Sequence, residues 1–289
     1  MPDISVVIPN YNNAIYLENC LDSVINQTFK KKEILLLDDC SIDDSPQIIK
    51  RYARQYPNVI RPFFNTRNVG VARNRHRGIL AAQGRYLTTL DSDDQFADAE
   101  KLEREHDLIR QHEDNNATII AFSNVMQLFN DGSEQLVGTG EDILEGNIFI
   151  SMLLRKCFIP RDFLFKRELY FEVGGYNPSY TIYEDWNLKL KLAKKYCFYY
   201  TGITGVIYRR HGHGLSNSPP GVHQEFLRRS FLEMVADIED QEAVATYTRE
   251  FEEYLAKVFG VNRSQQPLLA RLREIFHKIA SCCCRNGVS

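Results

Sequence analysis

From Ile4 to Leu90 the sequence alternates between short runs of β-favouring residues and stretches of helical periodicity, and no other feature restricts the fold as strongly. Ile4 to Ile8 reads as a strand, and Tyr16, Leu17, Cys20, Leu21, Val24 and Ile25 then recur at helical spacing. Glu33 to Leu37 is a second strand that ends at Asp38 and Asp39. Ser45 followed by Pro46 supplies an N-cap and a first-turn proline for a helix to about Tyr56. Val59 to Phe64 is a third strand, Val71 to Ala82 a third helix closed by Gly84, and Tyr86 to Leu90 a fourth strand. Strands that alternate with helices predict an α/β fold with a doubly wound, mainly parallel sheet flanked by helices.

With 289 residues the chain has room for a large core in one or two domains. A net charge of -3 argues against a strongly basic nucleic-acid binder, so no nucleic-acid partner is expected. The seven cysteines are odd in number; Cys20, Cys40, Cys157 and Cys197 lie among apolar residues without CxxC spacing and read as reduced core thiols. The opening PDISVVIPNY has none of the marks of a secretory signal, and no apolar run approaches ~20 residues, so a cytoplasmic location is expected.

In an open α/β sheet, ligands bind beyond the carboxyl ends of the strands. Polar residues gather at all four predicted exits: Pro9, Tyr11 and Asn12; Asp38, Asp39 and Ser41; Asn68 and Gly70; and Asp91, Ser92 and Asp93. Carboxylates so close together repel one another, and a divalent cation with oxygen ligands would relieve that repulsion and hold a phosphate-bearing ligand. Taken singly, an Asp pair after a strand is as well explained as a turn or helix cap, and Asp94 to Asp98 have the placement to cap a helix starting near Ala99.

Four segments together, VVIPNYN, LLLDDCSIDDS, NTRNVGVARNRHRGILAAQGRYLTTLDSDD and GGYNPSYTIYEDWNLKLKLAKK, resemble family 2 glycosyltransferases of the GT-A fold over roughly residues 4 to 216. The resemblance implies that Pro9, Tyr11 and Asp39 hold a nucleotide base and ribose, with Asp39 accepting a hydrogen bond from the base. It matches Arg73 and Asn74 to a phosphate-side element and LDSDD to the DxD motif. In that motif Asp91 contacts the nucleotide and Asp93 binds Mn²⁺ or Mg²⁺. Asn12, Asn68 and Ser92 fall in the same donor crevice. The ion would neutralise the departing diphosphate.

The resemblance also matches Glu184 and Asp185 to the catalytic pair, with Asp185 as the base that takes the acceptor proton; a direct displacement then inverts the anomeric centre. Read alone, the same two acids favour the positive end of a helix. For VIYRRHGHGLS the resemblance implies His211 as a metal or diphosphate ligand, with His213 an equal alternative, and Arg209 or Arg210 as a phosphate clamp. Phe163, Tyr176, Tyr180, Tyr183 and Trp186 offer faces for an acceptor sugar, although core packing explains Phe163 and Trp186 equally well. The element QxxRW of processive polymerases is absent, which favours single addition over polymer extrusion.

Residues 1–217 are expected to form the transferase domain, with 1–95 the donor half and 96–217 the acceptor and catalytic half, and residues 218–289 a helical extension. Within the extension, Leu268, Leu269, Leu272, Ile275, Phe276 and Ile279 line one helical face, with Arg271, Arg273 and Lys278 beside it and Cys282 to Cys284 after it. Such a helix either docks on the domain or lies on anionic lipid at the inner face of a membrane. The expected partners are a nucleotide-sugar donor, a UDP-sugar, and a glycan or lipid-linked glycan acceptor. A nucleotidyltransferase shares the sheet and the metal carboxylates but needs a Gly-rich basic loop where this chain has PNYNN. A non-catalytic sugar- or nucleotide-binding relative is the other alternative.

Overall fold

A computed structural model of the chain describes residues 1–138, 143–211 and 218–260. His213, the run from Leu268 to Ile279 and Cys282 to Cys284 lie outside the described residues. The elements run in order β1 (Ile4–Asn10), α1 (Ala14–Ile25), β2 (Lys32–Asp38), α2 (Ser45–Gln55), β3 (Ile60–Phe64), α3 (Val71–Ala81), β4 (Tyr86–Thr89), β5 (Gln95–Phe96) and α4 (Lys101–Glu113). They continue with β6 (Ile119–Phe129), β7 (Glu134–Val137), α5 (Phe149–Leu153), β8 (Phe165–Lys166), α6 (Arg167–Glu172), α7 (Glu184–Ala193), β9 (Cys197–Arg210), α8 (Pro220–Val235) and α9 (Gln241–Phe259).

The alternating half builds a sheet of order β3-β2-β1-β4-β8, parallel across its first four strands and closed by antiparallel β8. Every residue of β1 and of β2 is buried, as expected of strands covered on both faces. Helix α3 lies close on the sheet because Gly78 leaves room; a Cβ there would come within 2.7 Å of Leu37 and Val7 side-chain atoms. The exits are level, with Asn10 beside Asp38 and Asp38 beside Phe64 in the register.

A second sheet, β5-β9-β6-β7, has no counterpart among the four strands that the sequence pattern predicts. Its two long strands, β6 and β9, pair in parallel with register shifts between Phe122 and Val125. The segment VIYRR is the end of β9, which fixes the backbone of Arg209. Two capping expectations also change. Asp43, not Ser45, accepts the backbone N–H groups at the α2 start, from Ser45 at 3.0 Å, and it also accepts from Ala14 at 2.8 Å. Asp98 accepts from Glu100 N before α4 at 2.7 Å, whereas Asp94 caps nothing and is buried in the site below.

The chain divides into two compact units, Met1–Met152 with Cys157–Asn217, and Leu153–Lys156 with Ser218–Ser289. In the second, Phe231 stacks on Phe251 at 4.4 Å and Arg228 makes a two-pronged pair with Glu252 at 2.8 Å, joining α8 to α9. Among the described residues no helix is long and apolar enough to cross a membrane. Of the four cysteines described, all free, only Cys20 is fully in the core.

Candidate active site

The loops after β1 and β2 are stapled to each other before any ligand is considered. Asn10 donates to Asp38 at 2.9 Å, Asn12 N donates to Ser41 Oγ at 2.9 Å, and the Asn12 side-chain oxygen accepts from Ile42 N at 2.9 Å. Asn12 itself sits at φ 53°, in the left-handed region that Asn tolerates. Pro9 ends up inside buried β1, and Tyr11 projects from the exit, 47% exposed. Asp39 is buried and accepts three N–H groups, from Asn65 Nδ2 at 2.7 Å, Val69 N at 2.9 Å and Gly70 N at 2.9 Å. Two carboxylate oxygens carry about four lone pairs, so Asp39 anchors the β3–α3 loop and keeps one acceptor position. Asn68 is exposed in that loop and accepts from Gly70 N at 3.0 Å.

Helix α3 brings a guanidinium to the carboxylates, but from Arg75. Arg73 is exposed, and Asn74 is committed to Leu37 O and Asn65. Arg75 is buried and bridges Asp91 to Glu184 in two close ion pairs. Sequence reasoning passed over it, yet a signal exists: Ala72, Arg75 and Ile79 fall on the buried stripe of α3, and an arginine on a core stripe requires a buried acid.

Arg161 is the second missed residue. It reaches Asp91 at 2.5 Å and Asp94 at 2.8 Å, and its guanidinium lies 4.6 Å from the centre of the Tyr208 ring. Its backbone N–H donates to Tyr208 Oη, and that hydroxyl donates to Asp162 at 2.6 Å. The sequence clue is an Arg-Asp pair inside the apolar run CFIPRDFLF. The repulsion expected of LDSDD is thus largely relieved by two arginines. Buried without a hydrogen-bond partner among the described residues are the Nε atoms of both Arg75 and Arg161.

Burial opposes charge on Asp91, but Arg161 and Arg75 outweigh it and hold the carboxyl below its usual range. Burial pushes Asp94 well up, with Arg161 offsetting part of the rise and Asp93 and Asp91 adding to it. Ser92 is buried and accepts from Asn13 Nδ2 at 2.9 Å, which fixes the turn between them.

Asp93 faces another way. Its carboxylate meets His211 Nε2 at 2.9 Å, and its backbone oxygen accepts from Arg209 Nε at 3.3 Å. Arg209 N donates to Asp94 at 2.8 Å. Tyr16 of α1 backs this corner, with the His211 ring at 5.3 Å and the Arg209 guanidinium at 5.0 Å from its ring. Carboxylate oxygens of Asp91, Asp93 and Asp94 lie within 4.8 Å of one another. Arginine already occupies Asp91 and Asp94, so among the described residues the carboxylate better placed for a hard cation is Asp93, with His211 beside it. Their 2.9 Å separation suits neighbouring ligands of an octahedral ion with bonds of about 2.1 Å.

Helix α7 opens at Glu184 behind Tyr183, which has φ 61°. Burial pushes Glu184 up to about 7 and Asp185 adds to the rise, against the pull of Arg75. Asp185 is more open, its side chain 25% exposed, and pairs with Lys189 at 3.3 Å. Burial works against its charge too, but Lys189, Arg161 and Arg75 together keep it far below the usual carboxylate range. Of the proposed stacking faces, Phe163, Tyr176, Tyr180 and Trp186 are all buried core residues; only Tyr183 is partly open.

The sequence profile of glycosyl transferase family 2 matches residues 5–174. The chain is 28% identical over 239 residues to an uncharacterized protein of Mycobacterium tuberculosis, covering 82% of this chain and 67% of that one. It is 29% identical over 181 residues to the glycosyltransferase GlyG of Streptococcus pneumoniae, covering 59% of this chain and 58% of GlyG. A crystal structure of S. aureus TarS 1-349 in complex with UDP-GlcNAc superimposes with a TM-score of 0.68 at 18% identity, over 91% of this chain and 74% of that one.

Proposed function

The chain belongs to glycosyl transferase family 2, and from that premise we propose an inverting, metal-dependent transferase that moves a sugar from a UDP-sugar to a hydroxyl of a glycan or lipid-linked glycan, in cell-surface glycan synthesis on the cytoplasmic side. The observation that carries this reading is the convergence of Asp91, Asp93 and His211 with Glu184 and Asp185 around Arg75 and Arg161. A TarS structure holds UDP-GlcNAc, which supports a UDP-sugar donor. Asp93 and His211 would hold Mn²⁺ or Mg²⁺, and the ion when bound neutralises charge on the departing diphosphate.

Tyr11 and the spare acceptor of Asp39 suit the base and ribose, with Pro9, Asn12 and Asn68 framing them, while Ser92 positions the turn that carries Asp93. The unpartnered Nε atoms of Arg75 and Arg161 would donate to donor oxygens, and Arg209 would steady a phosphate. Asp185 takes the proton of the acceptor oxygen as that oxygen bonds to the anomeric carbon and the carbon–phosphate-oxygen bond breaks on the opposite face. So depressed a carboxyl is by itself a weak base. An incoming diphosphate draws on the same cations and raises its affinity for a proton. Glu184 is closed off by Arg75 and orients the helix start. The smaller unit and the tail beyond it would bring the enzyme to the membrane that carries a lipid-linked acceptor.

Purified protein assayed with a panel of nucleotide sugars, with Mn²⁺ or with chelator, tests the reading. Metal-dependent hydrolysis or binding of one UDP-sugar is expected. Indifference to every nucleotide sugar would leave a non-catalytic relative, and formation of a nucleotide sugar with release of pyrophosphate from a sugar phosphate and a nucleoside triphosphate would indicate nucleotidyl transfer.

A further inference from the structure

Residues 45–90 contain nine Lys and Arg and not one Asp or Glu, in a chain whose overall charge is -3. Four of the nine find acids elsewhere: Arg51 with Glu18, Arg61 with Glu33, Arg85 with Glu113, and Arg75 in the site. The other five, Lys50, Arg54, Arg67, Arg73 and Arg77, have no carboxylate partner among the described residues. They flank β3, the edge strand of the parallel sheet, on both faces. Lys50 of α2 lies 5.6 Å over the Phe64 ring, and Arg77 of α3 lies 5.5 Å over the Phe63 ring.

Large apolar side chains stand exposed at the same end of the sheet. Ile42 is 90% exposed, Ile15 78% and Phe64 38%. Phe64 closes β3 level with Asp38 and Asn10, and the hydrogen bond from Ile42 N to the Asn12 side chain holds the two isoleucine-bearing loops together. The acids nearby do little against the cations. Asp43 is turned inward onto Ala14 and Ser45, Glu18 is spent on Arg51, and Asp44 is the one left exposed.

We propose that the β3 edge of this sheet, with the Ile42 loop and the basic faces of α2 and α3, docks on an anionic lipid surface. Cations beside protruding aliphatic side chains suit the interface of a bilayer, where the charges meet headgroups and the isoleucines enter the acyl boundary. A nucleic acid or a soluble polyanion gives the isoleucines nothing to enter. This edge lies wholly within the first unit and borders the proposed donor residues Asn12 and Asn68; its argument uses no donor chemistry and its test needs no nucleotide sugar, so its failure is distinguishable from failure of the proposed activity.

Co-sedimentation of the full chain with vesicles tests the idea. Wild type is expected to bind phosphatidylglycerol-containing vesicles, to ignore pure phosphatidylcholine, and to bind more weakly as salt rises. The triple change Lys50→Gln, Arg67→Gln, Arg77→Gln should weaken binding roughly a hundredfold, since each cation near an anionic leaflet contributes about fivefold. Ile42→Asp should weaken it at least about tenfold, from lost apolar burial. These are surface changes, and a wild-type melting temperature would show that each variant folds. Vesicle binding unchanged in the triple variant would overturn the proposal, and so would binding to soluble polyphosphate in preference to vesicles.

Discussion

Two segments of the site, the turn Asp91–Asp94 and the start of α7, carry the same device. Each places one carboxylate on Arg75 and turns a neighbour toward the cleft. Asp91 and Glu184 share that guanidinium, while Asp93 faces His211 and Asp185 faces Lys189. The partners set the difference. Imidazole is a ligand for a metal ion, and an ammonium is not, so the first segment suits a cation and the second a proton. One arginine fixes both segments at once, which holds the Asp93 and Asp185 positions in register.

Asp93→Ala breaks the comparison most severely. Activity and metal-dependent nucleotide binding should both vanish while urea unfolding shifts by only about 1 kcal/mol, the loss expected from one partly exposed pair with His211. Nucleotide affinity that ignores both chelator and this change would remove the metal from the Asp93 corner. Asp185→Asn should act on chemistry alone, with donor affinity kept in calorimetry and turnover down by about 10²–10⁴. Wild-type turnover in that variant would shift the base to Glu184.

Arg75→Ala tests whether the two segments are one unit. It leaves Glu184 buried without its counter-charge and Asp91 with Arg161 alone, and should cost about 3–5 kcal/mol in denaturant unfolding. Adding Glu184→Gln should recover part of that loss, and a purely additive double variant would uncouple the segments.

The smallest effect is on the pH profile of stability. Glu184 is raised to about 7, against an unfolded value near ~4.3, so between those limits the folded state holds the extra proton. Stability should therefore fall as pH rises through that window, and Glu184→Gln should flatten the slope. Asp91 and Asp185 are depressed and act the opposite way below about pH 4, losing their contribution as pH falls. A slope between pH ~4.3 and 7 that survives Glu184→Gln would assign it to another buried acid, such as Asp162 or Glu105, whose carboxyls burial raises to about 6 and about 7.

The sequence alone determined the parallel sheet, its first four strands and the end at which its polar residues gather, because burial on both faces forces a continuous apolar run and a strand exit must become polar. Resemblance to family motifs also marked Asp93, Glu184, Asp185 and, with His213 as an equal alternative, His211 as candidates. The tertiary structure decided which cation serves which acid. Arg73 and Arg75 look alike in sequence, but two positions on a helix are about 200° apart, and only Arg75 turns to the core. Arg161 and Tyr16 reach the site from chain positions far from the motifs they support, and β6 and β9 pair across more than seventy residues of chain. Ion pairs and strand pairs of that span leave no mark in local periodicity, since each depends on the folded distance between segments rather than on either segment alone.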